Sequence, residues 1–348
     1  MSYRITTNGL FRTYGTAMRS SNQKIYKDLD RVQTQRTFSS FAEDPASASK
    51  AFRLRRDYWR TDDYIDTSNY LISKYELAYT SAGAIVNGDE THPSLNGLAS
   101  SLAGISDASA ASRRALGNDL IAKADSIALA MNVRYSEEFV FAGADGLNAP
   151  FLWDGDTLLY RGVDVSAKEG SEDFERLRHM ADETTYVDIG LGMEENEDGS
   201  IKPNSAFNSS ISGLNFLGYG NDEDGYPNNM AVLMKQLGNI FASADPDTGE
   251  FQYSTDAEDA RVLSQKLHDA INRVIDNHVE LSADSSYIRL NLNQLETEQV
   301  TLSEEITDVE QTDMALAITQ MMWAQYSYQA ALRVGNELLS QSLFDYMH

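Results

Sequence analysis

The chain has 348 residues, 42% of them hydrophobic, with no Cys, six Pro and a formal net charge of −25. That length accommodates two or three domains of ordinary size, and that much apolar material buries a core, which excludes disorder throughout. Zero Cys excludes disulfides, thiolate metal sites and a Cys nucleophile, a composition that suits an exported protein without requiring one.

The charge is uneven. Residues 1–60 hold twelve Lys/Arg against five acids, a net +7, which leaves −32 for the rest. A basic end on an acidic body is compatible with nucleic acid, but no nucleic-acid fold signature accompanies it, and attraction between chain ends or between copies is the simpler reading. The opening MSYRITTNGLFRTYG has no continuous apolar stretch between Arg4 and Arg12, so no cleavable signal peptide is expected. No run of 18 apolar residues occurs, because Gln320, Gln325, Ser327 and Gln329 interrupt the terminal candidate, and no membrane span is expected.

In chain order, Phe11, Tyr14, Met18, Ile25 and Val32, with Ser21 and Asp28 as weak positions, predict a first helix from about Leu10 to Thr37. FSSFAEDP (38–45) then reads as a joint, with Asp44 as N-cap and Pro45 at the first position of the next helix, where a missing N–H costs nothing. Steps of four and three from Ala51 give Leu54, Tyr58, Thr61, Ile65, Ser68, Ile72, Tyr75, Tyr79, Ala82 and Val86, a sustained coiled-coil-like stripe. Tyr58, Tyr75 and Tyr79 are read as part of that stripe and not as a ligand box. A third helical stretch, about Leu95 to Phe139, carries Leu98, Leu102, Ile105, Leu116, Leu120, Ile127 and Met131. Its many Ala and Ser residues imply close approach of a neighbouring helix.

After Phe139 the pattern shortens to β-prone runs, and Asp154-Gly155 between FLW and TLLYR signals a hairpin. Residues 169–198 hold eleven acids and two Arg, which reads as a solvated, loop-rich insertion with a few strands such as TTYVDIGL. Helical pattern returns at about Asn228 and, after ADPDTGEFQYS, continues from Asp256 through Ala260, Leu263, Leu267, Ile271 and Ile275. The last stripe runs Ile288, Leu292, Leu295, Gln299, Leu302, Ile306, Val309, Asp313, Leu316, Gln320, Trp323. Within it the base-free acidic run Glu304, Glu305, Asp308, Glu310, Asp313 predicts a second joint, which makes the layout nearly palindromic.

The final helix is the unusual one. From Met314 to Phe344 the only charged residues are Arg333 and Glu337, and Met321, Met322, Trp323, Tyr326, Tyr328, Leu332 and Leu338 point all around the helix axis. Thirty-odd residues make a rod of roughly 50 Å, which needs partners along its whole length. Pairing with the first helix covers one face, and only other copies of the chain can cover the rest. The candidate assembly residues are therefore Phe11, Tyr14, Met18, Ile25 and Val32 on the first helix and Leu316, Met321, Met322, Trp323, Tyr326, Leu332, Leu338 and Leu343 on the last.

Catalytic readings find no constellation. SASK (47–50) matches a Ser-x-x-Lys pattern but sits in the first turn of a helix without the Lys-Thr-Gly or Ser-Asp-Asn partners. His92, His179, His268, His278 and His348 never fall at i,i+3 or i,i+4 from one another, so no zinc site is expected. Glu194, Asn196, Asp198 and Gly199 resemble half a calcium loop, but Ser205 stands where the closing Glu belongs, and the segment is read as a turn. The expectation is a non-enzyme without cofactor or metal.

FAEDPASASKAFRLRRD (41–57) resembles the N-terminal signature of the flagellin superfamily, an Asp-Asp-Pro joint leading into a helix with Leu-Arg, with Glu43 in place of the commoner Asp. NLNQLETEQVTLSEEITDVEQTDMALAITQ (291–320) is similar to the superfamily's C-terminal region, and Asp313, Met314, Ala315 match its Asp-x-Ala after the joint. EEFVFAGADGLNAPF (137–151) and LLSQSLFDYM (338–347) look more like the hook-associated protein 3 family, which forms the hook–filament junction, than like bulk flagellin. The likeness covers roughly 1–165 and 228–348 and is weak over 166–227.

The resemblance implies a mainly α fold with a β-containing insertion: long antiparallel coiled-coil-like helical rods from both chain ends and a small β-rich outer domain in the middle. The expected domains are a terminal coiled-coil assembly domain (1–42 with 310–348), a helical rod domain with a β-hairpin (43–165 with 228–309) and a variable outer β/loop domain (166–227). It further implies export without a cleaved signal through the flagellar type III apparatus and a place on the extracellular flagellum. The implied partners are copies of the chain, another hook-associated protein, flagellin, and a cytoplasmic chaperone that masks the last helix before export. A filament flagellin is the alternative within the superfamily. Outside it, the alternative is an extracellular adhesin-type module whose acidic insertion binds a cationic or calcium-dependent partner.

Overall fold

The computed structural model describes residues 7–88, 94–104, 109–245 and 247–346; the side chains of residues 7, 8, 10, 11 and 338–346 lie outside the described set. The chain is mainly helical with a few small antiparallel sheets. It divides into two compact units, Met1–Asp62 with Glu296–His348, and Asp63–Leu295.

In chain order the helices are α1 (Thr7–Thr34), α2 (Pro45–Asn87), α3 (Leu95–Ala103), α4 (Ala110–Ala130), α5 (Glu172–Ala181), α6 (Gly213–Leu217), α7 (Met230–Ser243), α8 (Asp256–Glu310) and α9 (Met314–Tyr346). The boundary between the units falls within α2 and α8.

In the larger unit, one hydrophobic cluster joins α2, α3, α4, α7 and α8 to the β segments. Its α2 face is Leu71, Ile72, Tyr75, Ala78, Ala82, Ile85 and Val86, broader than the predicted stripe, with Ser68 buried one turn before it. A strict 3.5-residue repeat slips round a 3.6-residue helix, so neighbours on both sides share the burial. Tyr79 falls at the edge, 41% exposed, and stacks on His278 with ring centroids 4.2 Å apart.

The predicted helix over 95–139 is two helices. α3 starts at Ser94, whose hydroxyl accepts from Gly97 N, and ends at Gly104; α4 starts at Ser109, which caps Ser112 N, and ends at Met131. Ser94, just ahead of the predicted stretch, and Ser109, inside it, supply the two N-caps. Residues 134–139 form a hairpin, β1 (Arg134–Tyr135) with β2 (Glu138–Phe139). The expected close approach is present one element later, between α4 and α7. A Cβ on Gly117 would stand 2.7 Å from Gly238 O, and one on Gly238 2.7 Å from Gly117 O.

The remaining strands are short. β3 (Ala142–Gly143) pairs with β9 (Ile211–Ser212), and β7 (Tyr186–Val187) with β8 (Phe207–Asn208). β4 (Phe151–Asp154), β5 (Thr157–Tyr160) and β6 (Val163–Asp164) form a meander. Asp154 pairs with Thr157, so the turn residues are Gly155 and Asp156, one step later than expected; Gly155 takes φ 63°, a value that favours glycine. Burial among Phe141, Phe151 and Ser212 pushes the Tyr160 phenol up to about 12, with its hydroxyl donating to Phe141 O.

Segment 166–227 belongs to this same compact unit. Leu177, Ile189, Phe207, Leu214 and Leu217 are buried in the cluster that also holds Ile271 and Val274 of α8. It also contains a helix where loops were expected. α5 is capped by Ser171, whose hydroxyl accepts from Phe174 N. Glu172, Asp173 and Glu175 stand in its first turn, and Arg178 and His179 in its last, the arrangement a helix dipole favours. The half calcium loop is a hairpin turn. Glu194 is ion-paired to Lys202 at 2.6 Å, and the Asp198 carboxylate accepts from Ser200 N and Oγ.

Candidate assembly surface

The smaller unit is built from α1, the start of α2, the end of α8, and α9. α1 stops where Gln35 turns left-handed at φ 57°. The two joints then pair with each other: Thr37 N donates to Glu310 O at 2.8 Å, Thr312 N to Gln35 O at 3.0 Å, and Arg36 lies opposite Gln311.

Each joint is capped by a carboxylate. Asp44 Oδ1 accepts from Ser47 N at 3.1 Å and Pro45 opens α2. That hydrogen bond holds the Asp44 carboxyl below its ordinary range. Glu43 accepts from Ser39 N at 2.8 Å, which lowers its pKa, with Lys27 3.6 Å away adding to the effect. The second joint is closed by Asp313, whose Oδ1 accepts from Ala315 N at 2.9 Å and Leu316 N at 3.1 Å. Asp313 belongs to the acidic run that predicts this joint, and an Asp directly before an apolar helical run is also an N-cap signal.

Arg55 pairs with Glu310 at 2.5 Å, and Gln299 Nε2 donates to Asp62 at 2.6 Å, which ties α2 to α8 in this unit. On α8, Gln299, Leu302, Ile306 and Val309 are half-buried, while 296–298, 300, 301, 303–305, 307 and 308 are exposed, so the 4,3 stripe faces inward.

α1 and α9 pack on each other, antiparallel because the end of α1 meets the joint before α9 while Tyr14 near its start meets Ala331. Tyr14 donates from its hydroxyl to Ala331 O at 3.0 Å, and its ring lies where a Cβ on Gly335 would go. Tyr14, Met18, Ile25 and Val32 are half-buried on the α1 face that also buries Asp28, whose Oδ2 has no hydrogen-bond partner among the described residues. An unpaired buried carboxylate oxygen weakens the pair.

α9 turns its small residues inward. Ala317, Ala324 and Gly335 are buried, with Met321, Tyr328 and Ala331 half-buried along the same line. The large side chains point outward: Trp323 is 68% exposed, Tyr326 60% and Leu316 55%, with Met322, Leu332 and Val334 also exposed. Tyr326 stands opposite the inward line, and the others flank it on both sides. Phe11, Leu338 and Leu343 lie outside the residues whose side chains are described. Among the described residues α9 is an apolar helix covered on one side only. Among the described residues no helix is long and apolar enough to cross a membrane, and no group of three or more His, Asp or Glu is placed to hold a metal ion.

No protein-family model and no curated protein matches this chain. Among solved structures it is similar to one described as a flagellar hook-associated protein of Vibrio parahaemolyticus, at 14% identity and a TM-score of 0.55, over 77% of this chain and 100% of that one. Bacillus cereus FlgL is also matched at 14% identity, over 75% of this chain and 99% of that one, with a TM-score of 0.42. The first likeness establishes a shared fold; the second is too loose to argue from.

Proposed function

We propose that this chain is a structural, self-assembling axial subunit of the bacterial flagellum, positioned at the hook–filament junction, and that it performs no catalysis. The observation that carries the reading is the outward apolar face of α9. Water tolerates isolated exposed apolar side chains, but a continuous band of Leu, Met, Trp and Tyr on one helix marks an interface. The fold likeness to a hook-associated protein and the two capped joints support the same reading.

On this reading α1 and α9 pair with copies of the chain and with neighbouring axial proteins, another hook-associated protein below and flagellin above. Before export, a cytoplasmic chaperone covers α9, because a helix with one small-residue seam gains little from folding alone. Imaging of flagella from a strain lacking the gene tests the placement. Hooks without filaments, with flagellin released to the medium, are expected; full-length filaments on normal hooks would contradict it.

A further inference from the structure

A second exposed patch lies on α2, away from the α1–α9 seam. Phe52 is 71% exposed and Trp59 63%. Arg56 falls between them on the same helical face, with exposed Arg53 and Arg60 along its edge. Arg56 and Arg60 share Asp57 at 3.2 and 3.4 Å, and Arg53 has no ion pair among the described residues, so the patch keeps a positive excess. Trp and Arg are the residue types that most often dominate protein interfaces.

The end of α8 in the same unit carries the complement. Val300, 59% exposed, Glu304 and Asp308 follow at i, i+4 and i+8, with Glu305 beside them, all exposed. None of the three carboxylates has an ion pair among the described residues, and like charges one turn apart repel. The two faces do not cover each other within one chain, since both are exposed while Arg55–Glu310 and Asp62–Gln299 hold the two helices together.

We infer that the Phe52–Arg56–Trp59 face of α2 in one copy docks on the Val300–Glu304–Asp308 face of α8 in the next. The contact is heterologous: each copy that offers its basic aromatic face leaves its own acidic face free for another copy, so the interface propagates into a ring or a helical string. Charge complementarity sets the register and the salt sensitivity, and the two aromatics and Val300 supply the apolar contact. The inference rests on the self-assembly reading and specifies one of its interfaces.

Charge reversal on the full chain tests it by sedimentation velocity across a concentration series. Arg53→Glu, Arg56→Glu, Arg60→Glu in one protein, and Glu304→Lys, Glu305→Lys, Asp308→Lys in another, are all exposed positions, and circular dichroism verifies that both triple variants fold. Each alone is expected to lose self-association by at least about tenfold relative to the unaltered chain. An equimolar mixture, which restores opposite charges at every contact, is expected to recover it. Triple variants that associate like the unaltered chain overturn this interface and leave self-assembly standing, as does a mixture that stays apart. An unaltered chain that remains monomeric at every concentration overturns both.

Discussion

Replacing Met322, Trp323 and Tyr326 by Ser separates what α9 does for the single chain from what it does for the assembly. All three side chains point away from α1, with exposures of 46%, 68% and 60%. Their loss removes little packing from the folded monomer, and exposed substitutions of this kind shift stability by about 0.5 kcal/mol or less. In an assembly that buries the remaining area, each side chain contributes about 1–2 kcal/mol, scaled from the value for full burial. The three together are worth about 3–6 kcal/mol, a fall in association constant of roughly two to four powers of ten. The assay pairs thermal unfolding by circular dichroism with light scattering against concentration. The expected result is an unchanged melting curve with association lost. A large drop in melting temperature would mean that the face is buried within the monomer, and unchanged association would mean that no neighbour covers it.

Gly117→Val forces α4 and α7 apart, because the added atoms meet the backbone at Gly238 O and Ala242 N and no side chain can move aside. Destabilisation of about 1–3 kcal/mol is expected from denaturant titration. Tyr14→Phe removes the hydrogen bond to Ala331 O while keeping the ring, so the α1–α9 pair should loosen by about 1 kcal/mol, read as faster amide exchange along both helices. The Asp284 carboxyl has its pKa raised by burial, with the Glu280 charge adding to it. The folded state therefore holds that proton more tightly than the unfolded chain, and the stabilisation it gives at low pH is lost as pH rises through the raised value. Asp284→Asn should accordingly raise the melting temperature at pH 7 and leave it unchanged well below the carboxylate range.

Much of the smaller unit was legible because its signals are local. Asp44 and Pro45 mark the start of α2, and the base-free run ending at Asp313 marks the break between α8 and α9. The stripe Gln299, Leu302, Ile306, Val309 keeps its period through the unit. What escaped depends on contacts distant in sequence. The hydrogen bonding of residues 35–37 to 310–312 joins segments some 275 positions apart and leaves no periodic trace. The inward side of α9 was hidden for a related reason: apolar residues all round the helix do not say which side meets α1, and the answer lies in Ala317, Ala324 and Gly335. In 166–227 the density of acids masked α5, although its cap and charge gradient were present in Ser171, Glu172, Arg178 and His179. The burial of that segment's Ile189 and Leu214 with α8 again joins residues far apart in the chain.

Fluorescence of Trp323 tests the central claim most directly. In full-length protein with Trp59→Phe and Trp153→Phe, which keeps an aromatic ring at position 59 and is verified by sedimentation velocity to assemble, Trp323 is the one remaining tryptophan, since the chain contains three. At dilutions where the chain is monomeric, its emission should sit at the red, water-exposed position and be quenched readily by iodide. As the chain assembles, the emission should shift to the blue and lose its quenching in step with the assembled fraction. A blue, unquenched signal already present in the dilute monomer would contradict the account, and so would a red signal that persists in the assembled state.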